Sequence, residues 1–358
     1  TMLRGAERPF VILGGTRWSA EAVDAFADAA ARWKLPVGVS FRRQMLFDHA
    51  HPGYAGDVGI GPDPALARRI SEADLVLLIG GRFGEVPSSD YTLMRSPYPR
   101  QTLIHVHPDP EELGRVYRAD LAINATPHAF ALAFGGLNAP DAPAWAEDTA
   151  RMHAGRLKWA TPPATVTGPV AMGEVIAHLA ATLSPDAILA NGAGNYATWV
   201  HRFYPFRRFA TQAAPASGSM GYGVPAAVAA KAMFPDREAI AFAGDGCFMM
   251  NGQEFATAVQ HGLPIIVVVV DNGMYGTIRM HQEREFPGRV SGTALVNPDF
   301  AALARAYGGH GETVATTADF APALARARAS ARPAIIHIRL DPEAITPART
   351  LTDIREKR

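Results

Sequence analysis

The sequence predicts an α/β chain of two doubly wound domains, each a mainly parallel sheet flanked by helices. Three observations lead there. In both halves, short apolar runs alternate with helix-length periods, as expected of β-α-β crossovers. A Pro-, Ala- and Thr-rich stretch separates the halves. In the second half, Gly244-Asp245-Gly246, a helix-like segment (Gln253 to His261) and a Val/Ile run ending in Asp271-Asn272 form one β-α-β unit with a polar cluster after each strand.

Taken in order, Pro9 to Leu13 (PFVIL) reads as a buried strand, Gly14-Gly15 as a tight turn and Ser19 to Trp33 as a helix. Val37 to Ser40, Leu75 to Ile79 (LVLLI) and Thr102 to Val106 (TLIHV) are further strands. These make up a first domain over 1–136. Residues 137–168 read as a linker with a short amphipathic helix in its middle. The second domain, 169–358, resumes the alternation with strands at Ala187 to Ala190, Ala239 to Ala243, Ile265 to Val270 and Ala334 to Ile338. No internal repeat or low-complexity tract is evident.

Composition narrows the function classes. An apolar fraction of 48% and a charged fraction of 19% over 358 residues fit a core-forming enzyme module of two domains. A net charge of zero without a basic run speaks against nucleic acid or an anionic membrane as partner. No apolar run is long enough to span a bilayer. The single cysteine, Cys247, excludes an intrachain disulfide framework and fits a reducing, cytoplasmic compartment. Its place directly after Gly-Asp-Gly suits a small side chain packed on a phosphate loop better than a nucleophile.

The richest chemistry lies at the strand ends of the second domain. Neighbouring strands run ~5 Å apart, and ligands of open α/β sheets bind at that edge. Asp245 and Asn272 are therefore placed to reach one small ion, and both offer the hard oxygen ligands that suit Mg²⁺. The flanking glycines let backbone N–H groups approach a phosphate closely. A magnesium-bridged diphosphate follows, although an ordinary crossover with a glycine turn also uses these residues. Two upstream segments belong with it: Asn191 to Asn195 (NGAGN) after a strand, and the glycine-rich Ser217 to Gly223 around Met220.

Gly-Asp-Gly, then a helix and an apolar strand ending in Asn, resembles the cofactor motif of thiamine-diphosphate enzymes, and Ser217 to Gly223 is similar to the acetolactate synthase-like branch. The resemblance implies that Asp245, Asn272 and the Met274 carbonyl hold Mg²⁺, and that Met220, next to Ser219, wedges the cofactor into a bent shape. It implies that Asn191, Gly192, Ala193, Gly194 and Asn195 border the diphosphate together with Gly244, Gly246, Cys247, Tyr275 and Gly276. In the first half, Gly14-Gly15, HPGYAGDVGIG (His51 to Gly61), IGGRFGE (Ile79 to Glu85) and HVHPDPEELGRVYRADLAI (His105 to Ile123) resemble the central domain of the same enzymes. Some relatives bind FAD or ADP there; with no full G-x-G-x-x-G, a structural domain is favoured over FAD, and Arg82 is the charged contact if a nucleotide binds.

The activity implied is decarboxylation of a 2-oxo acid with acyl-anion transfer by a homo-oligomer, dimer or tetramer. Alternatives are a 2-oxo acid decarboxylase of benzoylformate or oxalyl type, and a non-catalytic cofactor-binding or regulatory subunit. A nicotinamide dehydrogenase is the fold-level rival, and Gly14-Gly15 is a poor dinucleotide fingerprint for it. The family's ring-activating glutamate sits in an N-terminal pyrimidine-binding domain with no counterpart here, and Glu254 lies in the wrong domain to replace it. No residue of this chain is therefore assigned a catalytic proton, and alone the chain is expected not to turn over. Three other polar groupings read as structural. His105, His107 and Asp109 share strand spacing without a second ligand cluster, His49 and His51 read as surface histidines, and Gln282 to Glu285 as the solvated face of a helix.

Overall fold

The computed structural model describes residues 1–164 and 167–357, which divide into two units. Thr1–Thr161 with Pro205–Ala210 form the first, and Pro162–Tyr204 with Thr211–Arg358 the second.

In the first unit β1 (Pro9–Leu13), α1 (Ala20–Trp33), β2 (Val37–Val39), β3 (Tyr54–Asp57), α2 (Pro64–Ser71), β4 (Leu75–Ile79), β5 (Thr102–His107), β6 (Leu121–Asn124) and α3 (Pro127–Gly135) follow one another. All six strands are parallel, in the order β3-β2-β1-β4-β5-β6. Strand alternation splits the core in two. Val11, Leu13, Leu75, Leu77 and Ile79 pack beneath α1 and α3, whereas Phe10, Ile12, Val76 and Leu78 pack on the other side with Leu66 and Ile70 of α2. Helix starts follow local chemistry: Ser19 caps α1, while Asp63 and Thr126 cap α2 and α3, each ahead of a proline at the first position. α4 (Ala146–Trp159), within the stretch read as linker, packs on β3.

The second unit holds α5 (Met172–Thr182), β7 (Ile188–Asn191), α6 (Tyr196–Phe203), β8 (Gln212–Ala213), α7 (Gly223–Met233), β9 (Ala239–Gly244), α8 (Asp245–Asn251), α9 (Glu254–Gln260) and β10 (Ile266–Asp271). It continues with α10 (Gly276–Glu285), α11 (Phe300–Ala306), β11 (His310–Val314), α12 (Thr317–Ala329), β12 (Ala334–Arg339) and α13 (Leu351–Arg355). Its sheet is also wholly parallel, in the order β11-β12-β10-β9-β7-β8. Where one helical segment was expected after Gly-Asp-Gly there are two, because the chain breaks between α8 and α9 at Gly252. Among the described residues no helix is long and apolar enough to cross a membrane.

Two surface assignments from the sequence are corrected. His49 is buried, its ring stacked 4.1 Å from that of Tyr54, with Nε2 on the Gln44 carbonyl. Burial holds its imidazole well below the ordinary histidine range. Glu283 does not lie on a solvated face but is 1% exposed. Its carboxylate accepts bonds from Arg279 on its own helix, from the Gly288 N–H and from Arg355 of α13 at 2.9 and 3.1 Å. Around this clamp Met280, Ile345, Leu351 and Ile354 form a small core that fixes the chain terminus on α10.

The Arg355 bonds hold the Glu283 carboxyl down at about 2. A folded pKa below the unfolded value of ~4.3 stabilises above that value and is lost as pH falls from about 4 toward 2. Glu283→Gln is expected to cost about 2 kcal/mol at neutral pH, allowing for the partial exposure of Arg355, and to remove that part of the acid transition. Urea unfolding at pH 7 and pH 3 measures both; equal losses at the two pH values would contradict this account.

Candidate functional site

Parallel sheets offer a crevice where successive strands depart in opposite directions, because the loops at their carboxyl ends diverge there. In the second unit that point lies between β7 and β9, and a cleft opens beside it. Ala193, Gly194 and Asn195 from the loop after β7, Met220 from the loop before α7, and Gly244, Asp245, Gly246 and Cys247 at the β9–α8 junction border it. Asn272, Met274, Tyr275 and Gly276 after β10 complete that side. Three of the sequence candidates stand back from the cleft. Asn191 is buried below it, bonded to the Gly192 carbonyl and His201; Gly192 packs on Cys247; Ser219 is exposed and bonded to Ser217.

The register Val270↔Gly244 places Asp271, the last residue of β10, beside Asp245, the residue after β9. Asp245 is 3% exposed. Its Oδ1 accepts the Gly246 N–H at 2.8 Å, and its Oδ2 accepts the Met274 N–H at 3.1 Å and the Asn297 side-chain amide at 2.8 Å. Asp271 Oδ1 accepts the Gly273 N–H and the same Asn297 amide, and Oδ2 meets His337 Nε2 at 2.9 Å. Burial pushes the Asp245 carboxyl up to about 6, with the Asp271 charge adding to the shift. At Asp271 burial acts in the same sense, but bonds from His337, Gly273 and Asn297 outweigh it and hold the carboxyl at about 2.

The loop after β10 is shaped by a short antiparallel bridge between Met274 and Ala294. Tyr275 N–H donates to the Thr293 carbonyl, and Leu295 N–H to the Gly273 carbonyl, both at 2.9 Å. Extended backbone alternates its polar groups from side to side, so the N–H and C=O of Met274 face away from Thr293–Leu295. The Met274 N–H bond to Asp245 agrees with this. Among the described residues the Asn272 side-chain amide makes no hydrogen bond, and it borders the cleft.

Glycines bring the walls together. A Cβ on Gly246 would meet the Tyr275 ring at 2.5 Å, and one on Gly244 the Tyr196 ring at 2.9 Å. α10 opens on the cleft through Gly276 and Thr277, so its unpaired N–H groups point at the space a ligand would fill. Cys247 Sγ accepts the Gly221 N–H at 3.2 Å and meets the Tyr196 hydroxyl at 3.1 Å, which ties three loops together. Asn195 is engaged by Thr277 and by the Ile345 carbonyl, and so braces the β7 loop against α10.

Several contributors escaped the sequence reading. Trp199, Leu340, Ala344 and Ile345 line the apolar side of the cleft, and Thr277, Asn297 and His337 organise its polar end. Asn297 had one available signal: it precedes Pro298-Asp299-Phe300, where Asp299 caps α11 and fixes the start of a helix. In the first unit Arg82 pairs with Glu112 at 3.1 Å, and the Ser19 hydroxyl takes an N–H at the start of α1. His105 is bonded to the Gly81 carbonyl and His107 Nδ1 to the Asp109 N–H.

Because the folded pKa of Asp245 lies above the ordinary ~3.9, its ionisation costs stability as pH rises from about 4 through 6. Asp271→Asn removes the neighbouring charge and is expected to lower the Asp245 midpoint. ¹³C carboxyl NMR of the cation-free chain follows this directly, and an unchanged midpoint would show that burial alone sets it.

Residues 1–134 match the family model described as thiamine pyrophosphate enzyme, central domain, and residues 192–338 the one described as thiamine pyrophosphate enzyme, C-terminal TPP binding domain. The chain is 30% identical over 343 residues to an acetolactate synthase large subunit of Corynebacterium glutamicum, covering 92% of this chain and 54% of that protein. It is 29% identical over 344 residues to the acetolactate synthase large subunit of Parasynechococcus marenigrum (94% and 55%). With the acetolactate synthase isozyme 2 large subunit of Escherichia coli it shares 28% over 348 residues (95% and 61%). It thus spans about half to three fifths of the length of these curated relatives. Two family models in order along the chain, and relatives that align across nearly all of it, show that it belongs to the thiamine pyrophosphate enzymes, in the branch similar to acetolactate synthase large subunits.

Proposed function

We propose that the cleft of the second unit binds thiamine diphosphate with Mg²⁺, and that the protein decarboxylates a 2-oxo acid with transfer of the acyl-anion equivalent, as an acetolactate synthase-like carboligase. One observation carries this reading: Asp245, the unbonded Asn272 amide and the inward-facing Met274 backbone meet between two glycine-lined loops that open on helix N-termini. Three oxygen donors, one of them charged, suit a hard divalent cation that also takes phosphate oxygens.

Bound thiamine diphosphate supplies the carbanion-stabilising chemistry that 2-oxo acid cleavage requires. The chain's own residues bind and orient. Asp245 Oδ, Asn272 Oδ1 and the Met274 carbonyl would hold the cation. Backbone N–H groups of Cys247, Gly276 and Thr277 are the donors available to a diphosphate, with Gly246 already donating to Asp245. Met220 stands on the cleft wall, where an adaptable thioether can support bent rings. Trp199, Leu340 and Ile345 keep the apolar side dry.

A homo-oligomer is part of the proposal. Tyr222, Met249 and Met250 are 40%, 56% and 46% exposed beside the cleft-forming loops, a patch suited to a second copy. The substrate pair is assigned by analogy to the relatives, with pyruvate as the first donor to test.

Calorimetric titration of the purified protein with thiamine diphosphate tests the site. Binding is expected to require Mg²⁺, to fail with thiamine lacking the diphosphate, and to weaken at least 100-fold in Asp245→Ala without loss of the fold. Binding that ignores both Mg²⁺ and the Asp245 substitution would overturn the assignment. On a preparation that turns over, product analysis with pyruvate separates carboligation, which yields acetolactate, from simple decarboxylation, which yields acetaldehyde.

A further inference from the structure

We infer that Asn297 is a positioning residue for the cation, an inference that rests on the thiamine-diphosphate reading above. One amide nitrogen with two hydrogens lies 2.8 Å from Asp245 Oδ2 and 2.8 Å from Asp271 Oδ1. Each hydrogen therefore has its own carboxylate. This arrangement does two things. It fixes the rotation of the Asp245 carboxylate, whose Oδ2 receives Asn297 from one side and the Met274 N–H from another. It also engages Asp271 Oδ1 together with the Gly273 N–H, while His337 takes Oδ2 of that carboxylate. The cation is thus offered one carboxylate rather than two, although register sets two acids side by side. A site with both acids open would bind a bare divalent ion against its own repulsion and leave fewer positions for phosphate oxygens.

Asn297 is held firmly enough for this task. Pro298 follows it, and Asp299 caps α11 through the Ala301 and Ala302 N–H groups. Phe300 is fully buried, its ring edge-on to Phe248 of α8 and to His337 of β12. On the other side, Thr293 and Leu295 are bonded to the loop that carries Met274. The same strap therefore orients two of the three cation donors: Met274 through its backbone and Asp245 through the Asn297 amide.

Mn²⁺ is the probe, with free ion counted by electron paramagnetic resonance in the presence of thiamine diphosphate. Asn297→Ala is expected to weaken Mn²⁺ binding 10- to 100-fold, the range typical of residues that orient metal ligands. Asn297→Gln, which keeps the amide on a longer arm, should recover part of it. Asp299→Ala loosens the anchor of Asn297 by uncapping α11 but leaves its amide in place, and should weaken Mn²⁺ binding clearly less than Asn297→Ala does. Thermal unfolding of each cation-free variant shows whether the fold survives, and Asn297→Ser serves if the alanine variant does not fold. Unchanged affinity without the amide would overturn the role, as would equal weakening in Asn297→Ala and Asp299→Ala. If the unaltered protein binds no Mn²⁺ with thiamine diphosphate, the cofactor reading itself fails, and this inference with it.

Discussion

Two carboxylates meet at the carboxyl edge of the second sheet, and much of that unit is arranged around the consequence. Parallel pairing with Val270 opposite Gly244 leaves Asp245 and Asp271 adjacent at the ends of neighbouring strands. In water such a pair would repel weakly; with Asp245 almost wholly buried, the repulsion is costly unless donors surround it. The donors come from separate places: N–H groups of the two strand-following turns, a histidine from β12 and an amide from the segment before α11. Four regions distant in sequence are thereby tied to one point. The donors are also unequal: the bond from His337 helps to hold the Asp271 carboxyl below the usual range, whereas burial raises that of Asp245.

Glycine is the complementary constraint. Where carboxylates draw elements together, the absence of side chains lets them arrive. Gly246 faces the Tyr275 ring and Gly244 the Tyr196 ring, so a methyl group at either position would push the β9–α8 junction off the rings that flank it. Cys247 then fits because Gly192 leaves room for its sulfur, and the sulfur in turn accepts the Gly221 N–H. Backbone N–H groups therefore converge on the cleft from three loops.

The central strands and the polar strand ends were legible in the sequence because they announce themselves chemically. Runs such as PFVIL, LVLLI and IVVVV are buried on both faces and leave no room for polar residues. The strands that escaped notice are short or lie toward the sheet edges. β6 is largely exposed, β11 carries His310 and Glu312, and β3 contains Gly56 and Asp57, so none has an apolar signature. In the site, Asp245, Asn272 and Met274 sit in a contiguous motif and could be named in advance. Asn297, for which the sequence offers only a helix start beside it, and His337 were not, because their roles depend on tertiary approach across 52 and 66 residues. Glu283 misled for the same reason: QERE has the composition of a solvated helix face, and only the return of Arg355 buries it.

The two units share a doubly wound parallel plan, yet their switch points differ in the one respect that matters for binding. In the first unit the loops after β1 and β4 press glycine on glycine: a Cβ on Gly15 would fall 1.8 Å from the Gly80 carbonyl oxygen, and one on Gly14 3.2 Å from Gly81 Cα. The polar groups there are spent internally, with the Ser19 hydroxyl on the first turn of α1, Trp18 on the Gly14 carbonyl and Arg82 on Glu112. In the second unit the loops after β7 and β9 also touch, through Gly192 and Cys247, but the Asn272 amide and the first turn of α10 border a cleft beside them. A parallel sheet supplies a crevice by topology, but whether a ligand can use it depends on how the loop side chains dispose of their hydrogen bonds. By that criterion the second unit keeps unspent hydrogen-bonding groups at its crevice, while the glycines after β1 and β4 of the first unit are packed on one another.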